Sequence, residues 1–592
     1  MRDWLAHRVA ATPDAEALVS AATGRTWTYA DLDEAADEMA RRLAGLGVGP
    51  GDHVAVVVSP RIEYVTLVHA TMRLGARLVP TSHELTPAEL RPRLDAADAT
   101  VLVCEADTEG TAVEATAATD EGEAEETGEG REARNDEGEA AGNGDEGSTT
   151  ADGQAGTAGE PTVPVVSLDE ADADRVAHLK AAEGGEIEPS PWTRGQPLLM
   201  LFTSGSTGTS KLVVLTMGNV LASATASAFR LGVNPDARYM AALSFHHTGG
   251  IMPLYRAALY GTGVVLRTGF DAGGVADDVR EYDVTGISLV PTMLRRMLDA
   301  RGTLSDSLRV VLLGGAPASE ELIERCRHYS IPVHPTYGMT EAASGITVAR
   351  PGEAFDRVGT VGRPLLWTDV RVRDEDGEEL PPGEVGEFVV SGPSVTPGYY
   401  RNREANESAL GADGLATGDR GYRDEDGYCY VLNRADDRIL TGGENVDPGE
   451  VLAALREHPE VADAAVVGVP DEEWGERVAA LVVPAGEGAE RGPGDGPAET
   501  PDDAPDRLDA EELRAFCRER LADFKLPRAI RFAEGLPRTD SGTVRRPEVR
   551  ERLADATGTG DEGPGDEEEG GAGADREDAA GRGDEGVDTD AG

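Results

Sequence analysis

The chain predicts an α/β fold with one large domain followed by a small one, and three observations point to it. Strands and amphipathic helices alternate strongly from Leu198 to about Val431. A shorter alternation follows, starting near Ala435. Acidic, low-complexity stretches interrupt both and close the chain, with almost nothing in them to bury.

The elements follow in order. "YADLDEAADEMARRLAGLGV" repeats apolar residues at helical spacing and stops at Gly47 and Gly49, and "HVAVVV" then reads as a buried strand. After Cys104 the pattern gives way to Glu, Gly, Ala and Thr, which predicts a disordered insertion over residues 105–160. Order returns with "VPVVSL". "LRVVLLGGAPASEELIERCRHYSIPVH" is strand, glycine turn, amphipathic helix, strand, the pattern of a largely parallel sheet. The small unit has a helix around "EVLAALREH", strands "AAVVGV" and "VAALVVP", a helix over Ala510–Ala522 and a strand "AIRFAE". A Gly/Pro/acid linker divides it over 485–506, and the tail 556–592 is low complexity.

Of 592 residues, 110 are Asp or Glu and 55 Lys or Arg, a formal net charge of −55. The segments 105–160 and 556–592 carry −27 of it, so the remaining −28 lies on chain that reads as folded. Such a surface repels nucleic acid and anionic membranes, and neither is expected as a partner. Only Lys180, Lys211 and Lys525 are lysines; the other 52 basic residues are arginine. An acidic, lysine-poor, Ala/Gly-rich composition resembles proteins of extreme halophiles, in which concentrated salt screens self-repulsion. Cys104, Cys326, Cys429 and Cys517 are far apart and form no CxxC pair, against a disulfide framework or thiolate zinc site. "MRDWLAHRVA" has no apolar h-region, and no run of 18 apolar residues occurs, so a cytoplasmic protein is expected. Between monomer and homodimer the sequence does not choose.

Four stretches carry chemistry. "TSGSTGTSK" (Thr203–Lys211) follows an apolar run and is not a Walker A, which needs GxxxxGK[ST]. Read alone it is either a turn or a cradle whose backbone N–H groups, hydroxyls and Lys211 charge hold a polyphosphate. "YGMTEA" (Tyr337–Ala342), "TGD" (Thr417–Asp419) and "LNRADDRILTGGEN" (Leu432–Asn445) follow in that order. The ordered set resembles the adenylate-forming superfamily of acyl-CoA synthetases, luciferases and peptide-synthetase adenylation domains, from "TWTYADL" to about Leu553.

The resemblance implies a large N-terminal adenylate-forming domain over 1–434, a small mobile α+β lid over 435–555 and a disordered tail over 556–592. It implies two steps: a carboxylate attacks the α-phosphate of ATP, and a thiol, usually that of coenzyme A, then displaces AMP. Thr203, Ser204, Ser206, Thr207 and Lys211, with Gly205 and Gly208, would grip the β/γ-phosphates. Thr340 would hydrogen-bond the α-phosphate, and Glu341 would hold Mg²⁺. Asp419 would accept from the ribose hydroxyls, supported by Arg434, although a lone Asp in "TGD" also reads as a turn. Tyr337 and Gly338 would lie on adenine, opposite Gly314, Gly315 and Ala316, which equally read as a strand-to-helix turn. "SFHHTGG" (Ser244–Gly250) matches the segment beside the acyl pocket, where His246 would shield the carboxylate. No metal-ligand spacing links the histidines. Gly442, Gly443 and Glu444, with Trp474 of "EEWGERV", would enter the site for the thioester step, leaving a tunnel for the pantetheine arm. The hinge falls just after Arg434, at Asp436.

The pattern fails at the late motif. "LPRTDSGTVRR" puts Thr543 where the family has a lysine that bridges the carboxylate and α-phosphate. Arg545 or Arg546 could substitute, the phosphate loop and metal could suffice, or the chain could bind nucleotide without turnover. Ser210 and Leu212 also replace the loop's usual proline and glycine. "RVVLLGGAPASEELIERCRHYSIPVHPTYGMTEAASG" and "LTGGENVDPGEVLAALREHPEVADAAVVG" resemble the o-succinylbenzoate–CoA ligases of menaquinone synthesis. Their substrate has a second carboxylate, for which His247, Thr248, Arg256 and Ser344 are candidate donors. A ligase for fatty or aryl acids and a non-catalytic nucleotide-binding regulator are the rivals.

Overall fold

The computed structural model describes residues 2–117, 163–171, 173, 176–203, 210–315, 318, 320–374, 376–434, 439–446, 448–485, 508–537, 544 and 546–554. The linker at 485–506 and the tail after 555 fall almost wholly outside these residues, as do Asp436 and Thr543.

Two large sheets and two small ones carry the described chain. In the first, Glu16–Ser20, Gly263–Leu266, Arg238–Ala241, Gly286–Leu289, Val310–Leu313 and Val333–Met339 run parallel. In the second, Arg77–Pro80, His53–Val57, Val101–Cys104, Val165–Ser167 and Val176–His178 are parallel neighbours. Pro197–Thr203 joins that sheet beside Arg77–Pro80 and turns back antiparallel into Lys211–Thr216. One apolar core draws Leu18 and Val264 from the first sheet and Val54 and Leu199 from the second, so helices lie between the two. Eleven of the thirteen residues of the helix Ile62–Leu74 are buried there. A strand buried on both faces needs a nearly continuous apolar run, which is what "HVAVV" supplies, whereas "VVLL" alternates half-buried and buried positions.

The helix Tyr29–Gly45 starts where the sequence expects: the Thr28 side chain and Asp31 form a reciprocal cap. Two expectations are corrected. The sequence predicts a disordered insertion from 105, yet residues 105–117 are ordered, with a 3-10 turn Ala106–Thr108 and a helix Glu109–Thr116. Its fully buried apolar residues are Ala112 and Ala115, which pack with Leu90 and Leu94 while Val113 is partly buried beside them, and Glu105 is 5% exposed. Alanine and threonine among acids look like low complexity until a neighbouring helix covers them. The parallel sheet was read as continuing to about Val431. From Asp369 the strands Asp369–Arg373, Gly386–Ser391, Gly414–Arg423 and Cys429–Arg434 pair antiparallel instead. Gly414–Arg423 alternates buried and half-buried positions, the period of a sheet with one covered face and hairpin connections.

The small domain is a five-stranded sheet whose long hairpin, Val461–Asp471 with Gly475–Pro484, packs the helices Pro448–Arg456 and Ala510–Arg518. The second helix ends four residues before the expected Ala522. All four cysteines are free and buried. No helix among the described residues is long and apolar enough to cross a membrane.

Candidate active site at the domain boundary

A cavity of about 280 Å³ opens at the carboxyl ends of the large-domain strands, where Thr81, Thr203, Val290 and Gly315 follow their strands, and the small domain closes it with Glu444, Glu450 and Lys525. Parallel sheets place loops and helix starts at that edge, which is why ligand sites collect there. The cavity brings together Thr203, His246, Gly315 and Gly338 with Thr340, Glu341 and Glu444, residues up to 241 positions apart in the chain. Ser204, Gly205, Ser206, Thr207, Gly208, Ala316 and Arg545 lie outside the described residues, as does the Arg434 side chain.

The residues flanking the phosphate-loop candidate pair antiparallel: Thr203 pairs with Lys211, and the Ser210 hydroxyl donates to the Thr203 carbonyl at 3.2 Å. Lys211 holds its ammonium 5.3 Å from the Tyr399 ring centroid. The Tyr399 hydroxyl in turn donates to Glu341 Oε1 at 3.0 Å, and the Thr396 N–H donates to the Glu341 carbonyl at 2.7 Å. Glu341 is thus buried at 6% exposure with one carboxylate oxygen committed to Tyr399. A fixed carboxylate on the cavity, beside hydroxyls, is the hard oxygen donor that Mg²⁺ takes together with phosphate oxygens.

Tyr337 and Asp419 are not on the lining of that cavity; they pair with each other beside Gly338 and Phe388. The Tyr337 hydroxyl donates to Asp419 Oδ2 at 2.7 Å, and its ring leans on Phe388 with centroids 5.8 Å apart. Asp419 is 2% exposed, its N–H donating to the Thr417 hydroxyl, and it stands opposite Arg434 in the register of the two strands.

The two histidines separate in charge. The His247 ring N–H donates to Glu444 Oε2 at 2.9 Å, a contact from the large domain to the small one. Burial lowers the His247 pKa, but Glu444 outweighs it and lifts the ring above the usual histidine range. Burial and the His247 charge press His246 well below that range, so it stays neutral. Burial raises Glu444, yet His247, followed by His246 and Lys525, brings it down to about 2. His246, His247 and Glu444 have their ligand atoms within 4.8 Å of one another, the one such group among the described residues. The sequence shows no metal-ligand spacing between the histidines, because the third member of the group is an acid 197 residues away. At 2.9 Å the pair is a charge-assisted hydrogen bond.

Gly442 and Gly443 form a left-handed turn with φ of 60° and 92°. A Cβ on Gly442 would meet the Trp474 ring at 2.7 Å, and one on Gly443 would meet Val290 at 2.8 Å. Trp474 itself carries Arg528 over its ring at 4.0 Å and Arg296 of the large domain at 5.6 Å.

The pattern of the AMP-binding enzyme family matches residues 5–400, and that of the AMP-binding enzyme C-terminal domain matches residues 450–543. The chain belongs to the AMP-binding enzymes. It is 36% identical over 552 residues to the 2-succinylbenzoate–CoA ligase of Geobacillus kaustophilus, covering 93% of this chain and 97% of that one. It is also similar to the solved structure of a double mutant of o-succinylbenzoate CoA synthetase from Bacillus subtilis bound with a product analogue. There the TM-score is 0.77 at 31% identity, over 94% of this chain and 98% of that one. Against the Bacillus subtilis enzyme in complex with its acyl-adenylate intermediate the TM-score is 0.64 at 31% identity, over 93% and 98%.

Sequence reasoning missed Tyr399, Val290, Glu450 and Lys525. Glu450 lies within the "LTGGENVDPGEV" stretch, where the sequence assigns it no role; Tyr399, Val290 and Lys525 sit in no motif, and an apolar run ending at Val290 and a "GYY" turn carry no signal of their own.

Proposed function

We propose that this protein is an ATP-dependent acid–CoA ligase that converts 2-succinylbenzoate to 2-succinylbenzoyl-CoA, the thioester step of menaquinone synthesis. The observation that carries the reading is the contact between His247 and Glu444: a nucleotide-side cavity built by one domain is closed by the acidic turn of the other. Closure of that kind suits a thioester step, which needs an acceptor channel and a water-poor carbonyl.

In the first step a substrate carboxylate oxygen bonds to the α-phosphorus of ATP and pyrophosphate leaves. Thr340 donates to the α-phosphate, and the loop from Thr203 to Lys211 holds the β- and γ-phosphates. Bound at Glu341, Mg²⁺ supplies charge neutralisation for the phosphates. Asp419 accepts from the ribose, Tyr337 and Gly338 lie on the adenine, and neutral His246 walls the carboxylate without competing for it as a cation. In the second step the CoA sulfur bonds to the acyl carbon and AMP leaves, with the thiol reaching in past Gly442 and Gly443. Trp474 flanks that entrance, with Arg528 and Arg296 on its ring as counter-charges for the CoA phosphates.

The second carboxylate of the substrate separates this reading from a fatty or aryl acid ligase. Thr248 and Ser344 put hydroxyls on the cavity. Arg256 is not on the cavity lining; its Nη2 is 3.4 Å from the Ser223 hydroxyl, which donates to the Ala343 carbonyl, and its Nε is buried without a partner among the described residues. His247 is committed to Glu444. Arg256 therefore supplies the charge. Arg545 stands in for the lysine missing at Thr543.

The test uses purified protein in multimolar KCl with Mg²⁺, ATP and CoA, and follows pyrophosphate and CoA ester for 2-succinylbenzoate, benzoate, 4-coumarate and octanoate. Ester formation with 2-succinylbenzoate alone is expected, with loss of pyrophosphate release in Arg545→Ala. Turnover of a different acid retains the mechanism and removes the substrate. Tight ATP binding with no pyrophosphate from any acid makes the protein a nucleotide binder.

A further inference from the structure

We propose that Lys525 is a positioning residue for the thioester step, its buried ammonium docking the small domain so that the turn Gly442–Glu444 enters the cavity. The proposal rests on the ligase reading above.

Lys525 ends the 3-10 turn Asp523–Lys525 in the small domain and is 4% exposed. Its Nζ lies 2.8 Å from Glu89 Oε1 of the large domain and 2.8 Å from Glu450 Oε2 of the small one. Glu89 is itself fixed: its Oε2 accepts the Thr86 N–H and hydroxyl at 3.2 and 3.1 Å, capping the helix Pro87–Ala96. One turn along that helix Arg93 stands 4.0 Å from Glu450 Oε1. Charges alternate from Glu89 through Lys525 and Glu450 to Arg93, two from each domain and neutral in sum. The side chains of both carboxylates are no more than 15% exposed. A buried pair of this kind gains little net stability, because desolvation offsets the attraction, but it tolerates few geometries. It acts as a register device between two bodies.

The register matters because of what it is attached to. Glu450 stands in the first turn of the helix Pro448–Arg456, a few residues after Glu444. The strand Glu444–Val446 packs on the turn that holds Lys525. Fixing Lys525 and Glu450 against the helix Pro87–Ala96 thus fixes the base of the loop whose tip reaches His247 and Val290. Residue choice agrees. In a chain with 52 arginines and three lysines, a lysine is retained here. A compact ammonium fits between two carboxylates where a planar guanidinium fork would not.

The experiment compares full-length parent, Lys525→Met and Lys525→Met with Glu89→Gln, each in multimolar KCl. It reads ATP–pyrophosphate exchange with 2-succinylbenzoate in the absence of CoA, CoA-ester formation, melting temperature, and domain docking by small-angle scattering. For Lys525→Met we expect exchange within about twofold of the parent, ester formation lower by at least about 30-fold, and a larger maximum dimension. Adding Glu89→Gln removes one stranded carboxylate and should recover part of the ester rate. Parent-like ester formation in Lys525→Met overturns the proposal, whatever the scattering. Equal loss of exchange and ester with a lowered melting temperature also overturns it, because that is general damage. If the parent itself neither exchanges nor forms ester, the ligase reading falls, and scattering alone decides whether Lys525 docks the domain.

Discussion

The nucleotide side and the acceptor side of the cavity are built differently. On the nucleotide side, Glu341 and Asp419 are buried at 6% and 2% exposure and held by hydrogen bonds from Tyr399, Thr396 and Tyr337, all within the large domain. On the acceptor side, the contacts that matter are ion pairs between domains: His247 with Glu444, Lys525 with Glu89, Arg296 with Glu473. The first kind is preorganised and has no second arrangement on offer. The second consists of a few discrete contacts that can part and reform together, which would suit the proposed movement of the small domain between two half-reactions.

Breaking the nucleotide side should have the largest effect. Glu341→Gln keeps the Tyr399 hydrogen bond and removes the charge. Pyrophosphate release should fall about 10²–10³-fold, by analogy with removal of one preorganised electrostatic group, while ester formation from supplied acyl-adenylate stays near the parent rate. A single-turnover assay started from acyl-adenylate measures the second half. If Glu341→Gln slows that half as much as the first, the two sides are not separable and the comparison fails.

Legibility in the sequence divides along the same line. "TSGSTGTSK", "YGMTEA" and "TGD" are short, local and chemically loaded, because the residues proposed to hold the nucleotide follow one another at strand ends. Glu341, Thr340 and Thr203 could therefore be named from the chain and are found on one cavity. Tyr399 could not, since it meets Glu341 across 58 positions in a turn with no motif. On the acceptor side "GGEN" marks the turn, but neither its partner His247 nor the Lys525 cluster is visible, because each contact exists only once the domains are docked. The helix at 109–116 was hidden for a related reason: its alanine face acquires meaning from Leu90 and Leu94.

Gly443→Ala probes the acceptor side at one atom. The added Cβ would meet Val290 at 2.8 Å, and φ of 92° is strained for any L-residue by about 1–2 kcal/mol. The turn is then pushed back from the cavity. Ester formation should drop about tenfold, in keeping with that strain, with ATP–pyrophosphate exchange unchanged. Pairing it with Val290→Ala should restore part of the loss. Restoration identifies the clash, and no restoration leaves backbone strain as the cause.

The smallest effect expected is on pH, and it sharpens the comparison without a mutation. Docking raises the His247 pKa above its ordinary value and lowers that of Glu444 to about 2. For the raised group, the stabilisation of the docked form is full below the undocked histidine pKa, about 6.5, and is lost as pH rises through the docked value. For the lowered group, it is present above the ordinary carboxylate range and lost only as pH falls toward about 2. The charged groups facing His247 are Glu444 and Glu84, which favour its cation, and Arg93, which opposes it; the neighbouring His246 is neutral. Ester formation should therefore weaken by a few-fold on the alkaline side of the His247 titration, while pyrophosphate exchange, which is assigned no step at the His247–Glu444 contact, should not follow it. In Glu444→Gln the histidine loses the partner that lifts it, so the alkaline limb should move to lower pH. An unchanged limb in that variant would assign the titration to another group and leave the docking contact without a role in the pH profile.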